Sequence, residues 1–267
     1  MTLFQLLIVA FVQGVTEFLP ISSSGHLILV PQVTGNQDQG VTIDVAVHVG
    51  TLFAVVIFFW AQVKIAAAGT VRLAQGRVDT PGAFLALCLL TASIPAILFG
   101  LFLKTTGLDE ALRSVAVVGW TTLIFGLVLW WADRTGGEAR TSEDWTVKDA
   151  LIMGFAQCLA LIPGTSRSGI TITAARKLGY GREGAATLSM LMSIPIILAS
   201  GAGLSLDVIG EADWDLARQA GIAALFAFGA ALAALVLMFR LLKSVSFTPY
   251  VIYRIALGII LLVWAYA

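Results

Sequence analysis

The chain has 267 residues, of which 58% are hydrophobic and 12% are charged, and its mean hydropathy is +0.93. Soluble domains carry about 25% charged residues, so this composition excludes an ordinary soluble globular protein. The formal net charge is zero, which argues against nucleic acid as a partner. We therefore expect an all-α integral membrane protein.

Six stretches are apolar over the length that a helix needs to cross a hydrocarbon core. They lie at roughly 43–61, 83–103, 114–132, 186–206, 219–239 and 250–267. Cys88 and Cys158 fall within apolar stretches and are interpreted as small hydrophobic residues that form no disulfide or metal pattern. Pro95 and Pro195 are expected to mark helix kinks.

Two further apolar stretches, 1–30 and 150–178, are each interrupted in the middle by a polar segment that contains Gly and Pro. The interruptions are residues 20–26 and 163–169. In lipid, non-helical backbone is tolerated only where protein or a water-filled cavity covers it. Each stretch is therefore predicted to form a re-entrant pair of short helices with a polar tip.

The basic residues predict the orientation of the chain. Eleven Lys and Arg residues lie in loops 62–82, 133–148, 176–185 and 240–249, whereas the loops of the opposite face contain three. The positive-inside rule places the first set of loops in the cytoplasm. Three spans follow each re-entrant pair, so the second half of this single membrane domain is predicted to be inverted relative to the first. The halves are about 1–133 and 149–267.

Internal similarity supports this inverted repeat. Pro20 and Ser23 align with Pro163 and Ser166 at one offset of 143, and the Ser-Ile-Pro sequence of 93–95 recurs at 193–195. Inverted repeats with broken helices place a binding site near mid-membrane, where the two halves meet. The two polar tips are therefore expected to form one site.

The first tip supplies a carboxylate. Gln13 and Glu17 are spaced i, i+4 and share one helix face. Glu17 is followed by Ser22, Ser23 and Ser24 and then by His26. An ionisable residue within an apolar segment is costly, and the default interpretation is functional.

The second tip supplies a cation. Arg167 is flanked by Thr165, Ser166 and Ser168, with Gly164 nearby. A guanidinium matches the geometry of phosphate oxygens, and glycine lets the backbone approach a ligand closely. Carboxylate and hydroxyl groups also suit a hard divalent cation such as Mg²⁺, which usually bridges to substrate phosphates. Together the tips indicate phosphate ester or anhydride chemistry, with His26 or a serine as nucleophile or proton shuttle.

Both tips resemble known motifs. Residues 13–26, QGVTEFLPISSSGH, resemble the Glu/Gln-rich motif of undecaprenyl pyrophosphate phosphatases, the bacitracin-resistance family. Residues 163–169, PGTSRSG, resemble the second motif of that family, and the preceding residues 156–160 also fit. The similarity extends over essentially the whole chain. It implies six transmembrane helices plus two re-entrant pairs, with an active site that faces the periplasm.

The resemblance also implies an activity. Members of this family hydrolyse undecaprenyl diphosphate, a polyprenyl lipid, in the bacterial inner membrane and depend on a divalent cation, Mg²⁺ or Ca²⁺. The product is the lipid carrier for peptidoglycan precursors.

By resemblance, Glu17 is the metal-binding or acid–base carboxylate, and Gln13 stands where many members have a second Glu. Arg167 grips the diphosphate beside Ser166, and Ser24 stands where some members have Thr. The polar residues of the tips that are expected to bind the substrate are Gln13, Ser24, Gly164, Thr165, Ser166 and Ser168. Ser23 and His26 are rival nucleophiles.

Two polar residues in the spans have alternative interpretations. His48 is either a second proton carrier or a histidine that packs between helices, and packing is favoured. Arg254 is expected to snorkel towards the cytoplasmic face as a structural or lipid-headgroup contact.

The alternative function is a flippase for polyprenyl phosphate, because inverted repeats are typical of transporters. Hydrolysis is favoured, since transport needs no nucleophile. A purely structural membrane subunit would have no reason to bury Glu17 and Arg167, and no motif assigns an oligomeric state.

Overall fold

The computed structural model describes residues 1–35, 39–208 and 214–267, and no β-strand occurs within these ranges. The helices in chain order are α1 Leu3–Phe18, α2 Ser23–Thr34, α3 Val41–Phe58, α4 Trp60–Ala74, α5 Pro81–Thr106, α6 Leu108–Ala111, α7 Val115–Thr135, α8 Val147–Cys158, α9 Arg167–Lys177, α10 Arg182–Val208, α11 Trp214–Leu241 and α12 Thr248–Tyr266. Short 3₁₀ turns occupy Ser142–Asp144 and Leu159–Leu161.

Six helices, α3, α5, α7, α10, α11 and α12, are long and apolar enough to cross a membrane, which confirms the predicted number of spans. Their ends lie at most five residues from the predicted bounds. Large apolar side chains such as Phe53, Leu98, Leu225 and Ile260 point outwards and are more than half exposed. A soluble protein would bury such a surface, whereas a bilayer covers it.

One loop was predicted wrongly. Most of the segment 62–82 is helical, because α4 begins directly after α3 and runs to Ala74. Alanine-rich sequence favours a helix, and Gly69 on α4 lies against the backbone of Gly82 on α5, so the two helices pack closely. Much of the surface of α4 is exposed, so its sequence lacks the apolar periodicity that distinguishes a helix from a loop.

Both interrupted stretches form two short helices separated by a non-helical tip. In the first, α1 ends at Phe18, because the residue before Pro20 is biased towards extended backbone, and Leu19 adopts ψ 144°. In the second, α8 passes through the 3₁₀ turn and Ile162 is extended before Pro163. The four short helices pack beside the spans: α1 lies against α11, and α8 lies against α5.

The two tips share an unusual N-cap. Ser22 and Ser166 have positive φ angles of 75° and 72°, and each hydroxyl accepts a hydrogen bond from the backbone N–H of a glycine three residues later. Ser22 therefore corresponds to Ser166, and equivalent residues of α2 and α9 are 144 positions apart. The predicted alignment of Ser23 with Ser166 was wrong. Ser23 instead occupies the helix position of Arg167. One extra residue between Pro163 and Ser166 accounts for the difference.

Buried hydrophobic residues form a large cluster around α10. Met190, Leu188 and Met192 pack there with Met153 of α8 and Ile172 of α9. Phe18 at the end of α1 belongs to the same cluster, so both broken stretches contribute buried residues to it.

Candidate functional site

The two tips meet through an ion pair. Glu17, near the end of α1, accepts a hydrogen bond at Oε1 from Nη2 of Arg167, the first residue of α9, at 2.9 Å. Both side chains are largely buried. Burial of two charges is costly unless their remaining polar atoms are also satisfied. The expectation that the tips form one site is therefore supported by this contact between residues 150 positions apart.

The second carboxylate oxygen of Glu17 is also engaged. Oε2 accepts hydrogen bonds from the Ser23 hydroxyl at 2.7 Å and from Gln13 Nε2 at 2.9 Å. Gln13 is fully buried and does not line the cavity in front of Glu17, so it supports Glu17 from behind. The prediction that Gln13 binds substrate is not supported by this placement, although its predicted proximity to Glu17 is observed.

A cavity of about 200 Å³ opens in front of these groups. The tips line it with Glu17, Ser166, Arg167 and the serines 22–24. Spanning helices add apolar side chains, including Ala96 of α5 and Ile197 of α10. The result is a small polar chamber with apolar walls, which is typical of a site that orients an anionic group and excludes bulk water.

His26 does not reach this cavity. Its Nδ1 donates to the Ser22 carbonyl at 2.6 Å, and its Nε2 lies 2.6 Å from the Tyr253 hydroxyl on α12. The two rings are stacked, with centroids 5.7 Å apart. Both ring nitrogens are thus engaged away from Glu17, so the structure does not bring His26 to the site, and Ser23 is the predicted nucleophile that it does bring there.

Three further predicted ligand residues also lie outside the cavity. Ser168 is buried and donates to the Leu19 carbonyl at 2.9 Å, which joins the second tip to the first. Thr165 is fully buried, and the Gly164 carbonyl accepts from Thr122 of α7. These residues hold the tips in position. The prediction that they bind substrate is not supported by where they lie.

Arg254 holds the same tips, which confirms the structural interpretation of this residue, whereas snorkelling towards a lipid headgroup was wrong. It is completely buried on α12. Its guanidinium donates to the carbonyls of Pro20 in the first tip and of Gly164 and Thr165 in the second, at 3.2, 3.0 and 2.9 Å. Broken helices leave carbonyls that water cannot reach in lipid, and one arginine satisfies several of them.

Two further polar residues line the cavity: Gln157, which the sequence reasoning missed as a site residue, and His48, for which packing between helices was the favoured interpretation. His48 of α3 lines the cavity, with its Nε2 4.0 Å from Glu17 Oε2. Gln157 of α8 also lines it and has a buried Oε1 without a hydrogen-bond partner among the described residues. Gln157 could have been found from the repeat, since it follows Gln13 by the same offset of 144.

The oxygen atoms that face the cavity can be compared with the ligands that a divalent cation requires. Within the described ranges no group of three or more His, Cys, Asp or Glu side chains could hold a metal ion. Glu17, the Ser23 hydroxyl and the unpartnered Oε1 of Gln157 are nevertheless oxygen donors at one cavity. Such a set fits Mg²⁺ or Ca²⁺ only where substrate phosphates supply further oxygens, which is the usual manner of Mg²⁺ binding.

A second, apolar groove adjoins the cavity. It has a volume of about 420 Å³ and shares Ala96, Leu161, Ile196 and Ser200 with the cavity wall. The groove runs between α5 and α10 as far as Lys104, near the end of α5. The site therefore joins a polar chamber to an apolar path.

These features define a multi-pass helical membrane protein with a polar cavity beside an apolar groove. Residues 6–260 match the family described as bacitracin resistance protein BacA, and the chain belongs to that family. It is 68% identical to an undecaprenyl-diphosphatase of Roseobacter denitrificans and 66% identical to one of Dinoroseobacter shibae, over the full length of each pair. An undecaprenyl-diphosphatase of Chromohalobacter salexigens is 46% identical over 96% of both chains.

Proposed function

We propose that this protein hydrolyses undecaprenyl diphosphate to undecaprenyl phosphate and inorganic phosphate. The observation that carries the proposal is the Ser23 hydroxyl, which donates to Glu17 while Arg167 holds the other carboxylate oxygen. This arrangement joins a nucleophile, its base and a phosphate-binding cation in one cavity. The names of the relatives in Roseobacter and Dinoroseobacter agree with this reaction.

The reaction proceeds in two steps. Ser23 Oγ attacks the terminal phosphorus and passes its proton to Glu17, while the bridging P–O bond breaks and its electron pair leaves with undecaprenyl phosphate. Water then attacks the phosphorus of the phosphoserine and the P–Oγ bond breaks. Glu17 returns its proton to Ser23 Oγ, and the protons of the attacking water leave with the phosphate. Arg167 binds the oxygens of the transferring phosphoryl group, since its buried Nη1 has no hydrogen-bond partner among the described residues.

Glu17, Ser23 and Gln157 would hold a divalent cation together with the substrate phosphates. Mg²⁺ or Ca²⁺ would neutralise charge on the diphosphate. The apolar groove between α5 and α10, which adjoins the cavity, would hold the part of the prenyl chain nearest the diphosphate. The substrate is thereby divided between a polar chamber and an apolar path that match its two parts.

The protein resides in the bacterial inner membrane with its active site open to the periplasm. The eleven basic residues of the predicted cytoplasmic loops support this orientation. The groove extends to the opposite end of α5, which carries Lys104. Hydrolysis there returns the lipid carrier to peptidoglycan synthesis and confers resistance to bacitracin.

The test is phosphate release from undecaprenyl diphosphate by the purified protein in detergent, with Mg²⁺ and then with a chelator. We expect cation-dependent release, and a loss of about 10²-fold or more in Glu17→Gln, because the base is removed. Glu143→Gln, at an exposed carboxylate on the 3₁₀ turn, serves as the control and should retain activity. No release by folded protein in either condition would contradict the proposal and favour leaflet-to-leaflet transport of polyprenyl phosphate.

A further inference from the structure

Tyr253 of α12 contacts the first tip through His26 and has no part in the two steps above. Its hydroxyl lies 2.6 Å from His26 Nε2, and the two rings are stacked with an interplanar angle of 9°. Tyr253 is 43% exposed, on a helix whose other outward side chains, such as Ile252 and Ile260, are apolar. Lipid offers a hydroxyl no hydrogen-bond partner, so the bond to His26 meets no competition from water.

The two hydrogen bonds of His26 have a defined direction. Nδ1 lies 2.6 Å from the Ser22 carbonyl, and a carbonyl only accepts, so Nδ1 carries the hydrogen. Nε2 of the neutral ring is then an acceptor, and the Tyr253 hydroxyl donates to it. The backbone N–H of His26 lies 3.3 Å from the same Ser22 carbonyl, so the ring makes the shorter of the two contacts. Tyr253 therefore fixes the tautomer and the orientation of the ring that holds Ser22.

Ser22 has the backbone conformation that places the nucleophile. Its φ of 75° lies in the left-handed region, and a residue with a side chain remains there only where its surroundings hold it. Ser23 follows directly, and its hydroxyl donates to Glu17 at 2.7 Å. A rotation of the Ser22 backbone would therefore move the Ser23 hydroxyl relative to both Glu17 and the cavity.

A third span from the opposite half holds each tip. In the second tip, the Pro163 carbonyl accepts from the Thr121 hydroxyl of α7. In the first tip, the Pro20 carbonyl accepts from Arg254 of α12. The carbonyl two residues after Pro20 is reached from the same helix through the two stacked rings. The contact of Tyr253 thus belongs to the set that fixes the tips, and it acts beside the nucleophile.

We propose that Tyr253 is a positioning residue for the nucleophile, which rests on the proposed phosphatase function. It acts through His26 and the Ser22 carbonyl and does not contact the substrate. Its hydroxyl keeps Ser23 Oγ in line with the terminal phosphorus. Small displacements of a reacting atom lower the rate sharply, so a contact outside the cavity can affect catalysis.

The experiment compares Tyr253→Phe with Tyr250→Phe, which removes a hydroxyl one turn earlier on the same helix. The Tyr250 ring packs against Phe247, and within the described ranges no hydrogen bond joins its hydroxyl to a tip. Phenylalanine keeps the ring, so each variant loses only a hydroxyl. For release of phosphate from undecaprenyl diphosphate, we expect Tyr253→Phe to lower kcat about 10-fold with little change in KM. Tyr250→Phe should match the wild type.

His26→Asn tests the route of this effect. The asparagine amide can still donate to the Ser22 carbonyl but is too short to reach Tyr253. His26→Asn should therefore lose about as much activity as Tyr253→Phe, and the double variant should be no worse than either single variant. Losses that multiply in the double variant, or wild-type kcat in Tyr253→Phe, would overturn the proposal.

Amide hydrogen exchange separates this proposal from the phosphatase function. A peptide that covers residues 20–26 should take up deuterium faster in Tyr253→Phe than in Tyr250→Phe, because the first tip is held less firmly. Equal uptake in the two variants would overturn the positioning role whether or not phosphate is released. Absence of phosphate release by the wild type would contradict the phosphatase function and leave the exchange result to decide whether Tyr253 holds the tip.

Discussion

Ser23 and His26 are three residues apart on α2, yet they contact different partners. Ser23 donates to Glu17 at the cavity, whereas both ring nitrogens of His26 are engaged by Ser22 and Tyr253. We predict that Ser23→Ala lowers kcat for phosphate release by about 10³-fold or more, because it removes the nucleophile. His26→Gln should cost far less, since it removes one side-chain hydrogen bond to α12.

Trapping with radiolabelled diphosphate separates the two assignments. Label transferred from the terminal phosphate should be covalently bound in the wild type after a rapid quench, and absent in Ser23→Ala. A stable label in Ser23→Ala that disappears in His26→Gln would contradict the assignment and return His26 to the role of nucleophile.

Asp149 provides a prediction about pH and stability. Burial alone raises the pKa of this carboxyl, but hydrogen bonds from Arg140, Thr146 and Tyr180 outweigh it, and the pKa is lowered overall. A lowered pKa in the folded state contributes stability at neutral pH that is lost as pH falls below the unfolded value of about 3.9.

Asp149→Asn should therefore lower the thermal unfolding temperature at pH 7, at a cost of about 1–3 kcal/mol for the weakened hydrogen bonds. The difference between wild type and variant should persist at pH 5 and close only as pH falls below about 4. Unfolding scans in nonionic detergent at pH 7, 5, 4 and 3 would measure it. A difference that is constant over this range would show that the charge of Asp149 contributes nothing.

Single residues also show where sequence reasoning stopped. The pairing of Glu17 with the second tip was predictable, since an unpaired charge in an apolar segment requires a partner. The place of His48 in the cavity wall was only one of two interpretations, because a histidine among valines carries no signal of the direction in which its side chain points. The partners of Arg254 were not predictable for a related reason: they are backbone carbonyls, and carbonyls leave no mark on a sequence.

Helix packing depends on glycine where a short helix lies against a span. A Cβ atom at Gly14 of α1 would lie 2.6 Å from Ala230 Cβ and 2.7 Å from the Ala227 carbonyl of α11. Gly154 of α8 is equally close to the Ala92 carbonyl of α5, at 2.6 Å. Real Cβ atoms do not approach backbone so closely, so a methyl group at either position must displace the short helix.

We predict that Gly14→Ala and Gly154→Ala each destabilise the protein by about 1–3 kcal/mol, the usual cost of overpacking. Both should also lower activity, because α1 carries Glu17 and α8 carries Gln157. Gly229→Ala on α11 is the control: no atom lies within 4 Å of its added Cβ, so helix propensity should make it neutral or slightly stabilising. Equal unfolding temperatures for all three variants would contradict this packing.

At the level of elements, the six spans were predictable from length and hydropathy, since a bilayer imposes both. The helix α4 was not, because it has the length of a loop helix and no strong apolar period. The predicted alignment of the tips was wrong by one residue. Pro20 and Pro163 suggested an offset of 143, whereas the residues with positive φ angles, Ser22 and Ser166, are 144 positions apart. Backbone conformation, and not residue identity, defines which positions of the tips correspond.

The whole molecule is held together where its halves cross. The first tip belongs to α1 and α2, yet α1 packs on α11 of the second half, and α8 packs in the same way on α5 of the first. Arg254 then joins the carbonyls of both tips. Neither tip is thus supported by its own half alone, and the two halves would be expected to fold as one domain.

The predicted inversion of the halves places α5 and α11 in opposite directions across the membrane. Exposed positions at both ends of these helices can be tested with single cysteines. Gln75 precedes α5 and Thr105 lies in its last turn. Trp214 is the first residue of α11, and Ser244 follows its end. We expect a membrane-impermeant maleimide to label Thr105→Cys and Trp214→Cys in intact spheroplasts. Gln75→Cys and Ser244→Cys should react only after lysis, because their loops carry the basic residues that remain in the cytoplasm.

Native Cys88 is buried and Cys158 is partly buried, so the Cys88→Ser, Cys158→Ser background removes the remaining thiols as a control. Labelling of Thr105→Cys together with Ser244→Cys would mean that α5 and α11 run in the same direction and would refute the inversion. The reverse pattern at all four positions would keep the inversion but turn the molecule over. In that case the groove near Lys104 would open to the cytoplasm, where the proposed recycling of periplasmic undecaprenyl diphosphate would not be possible.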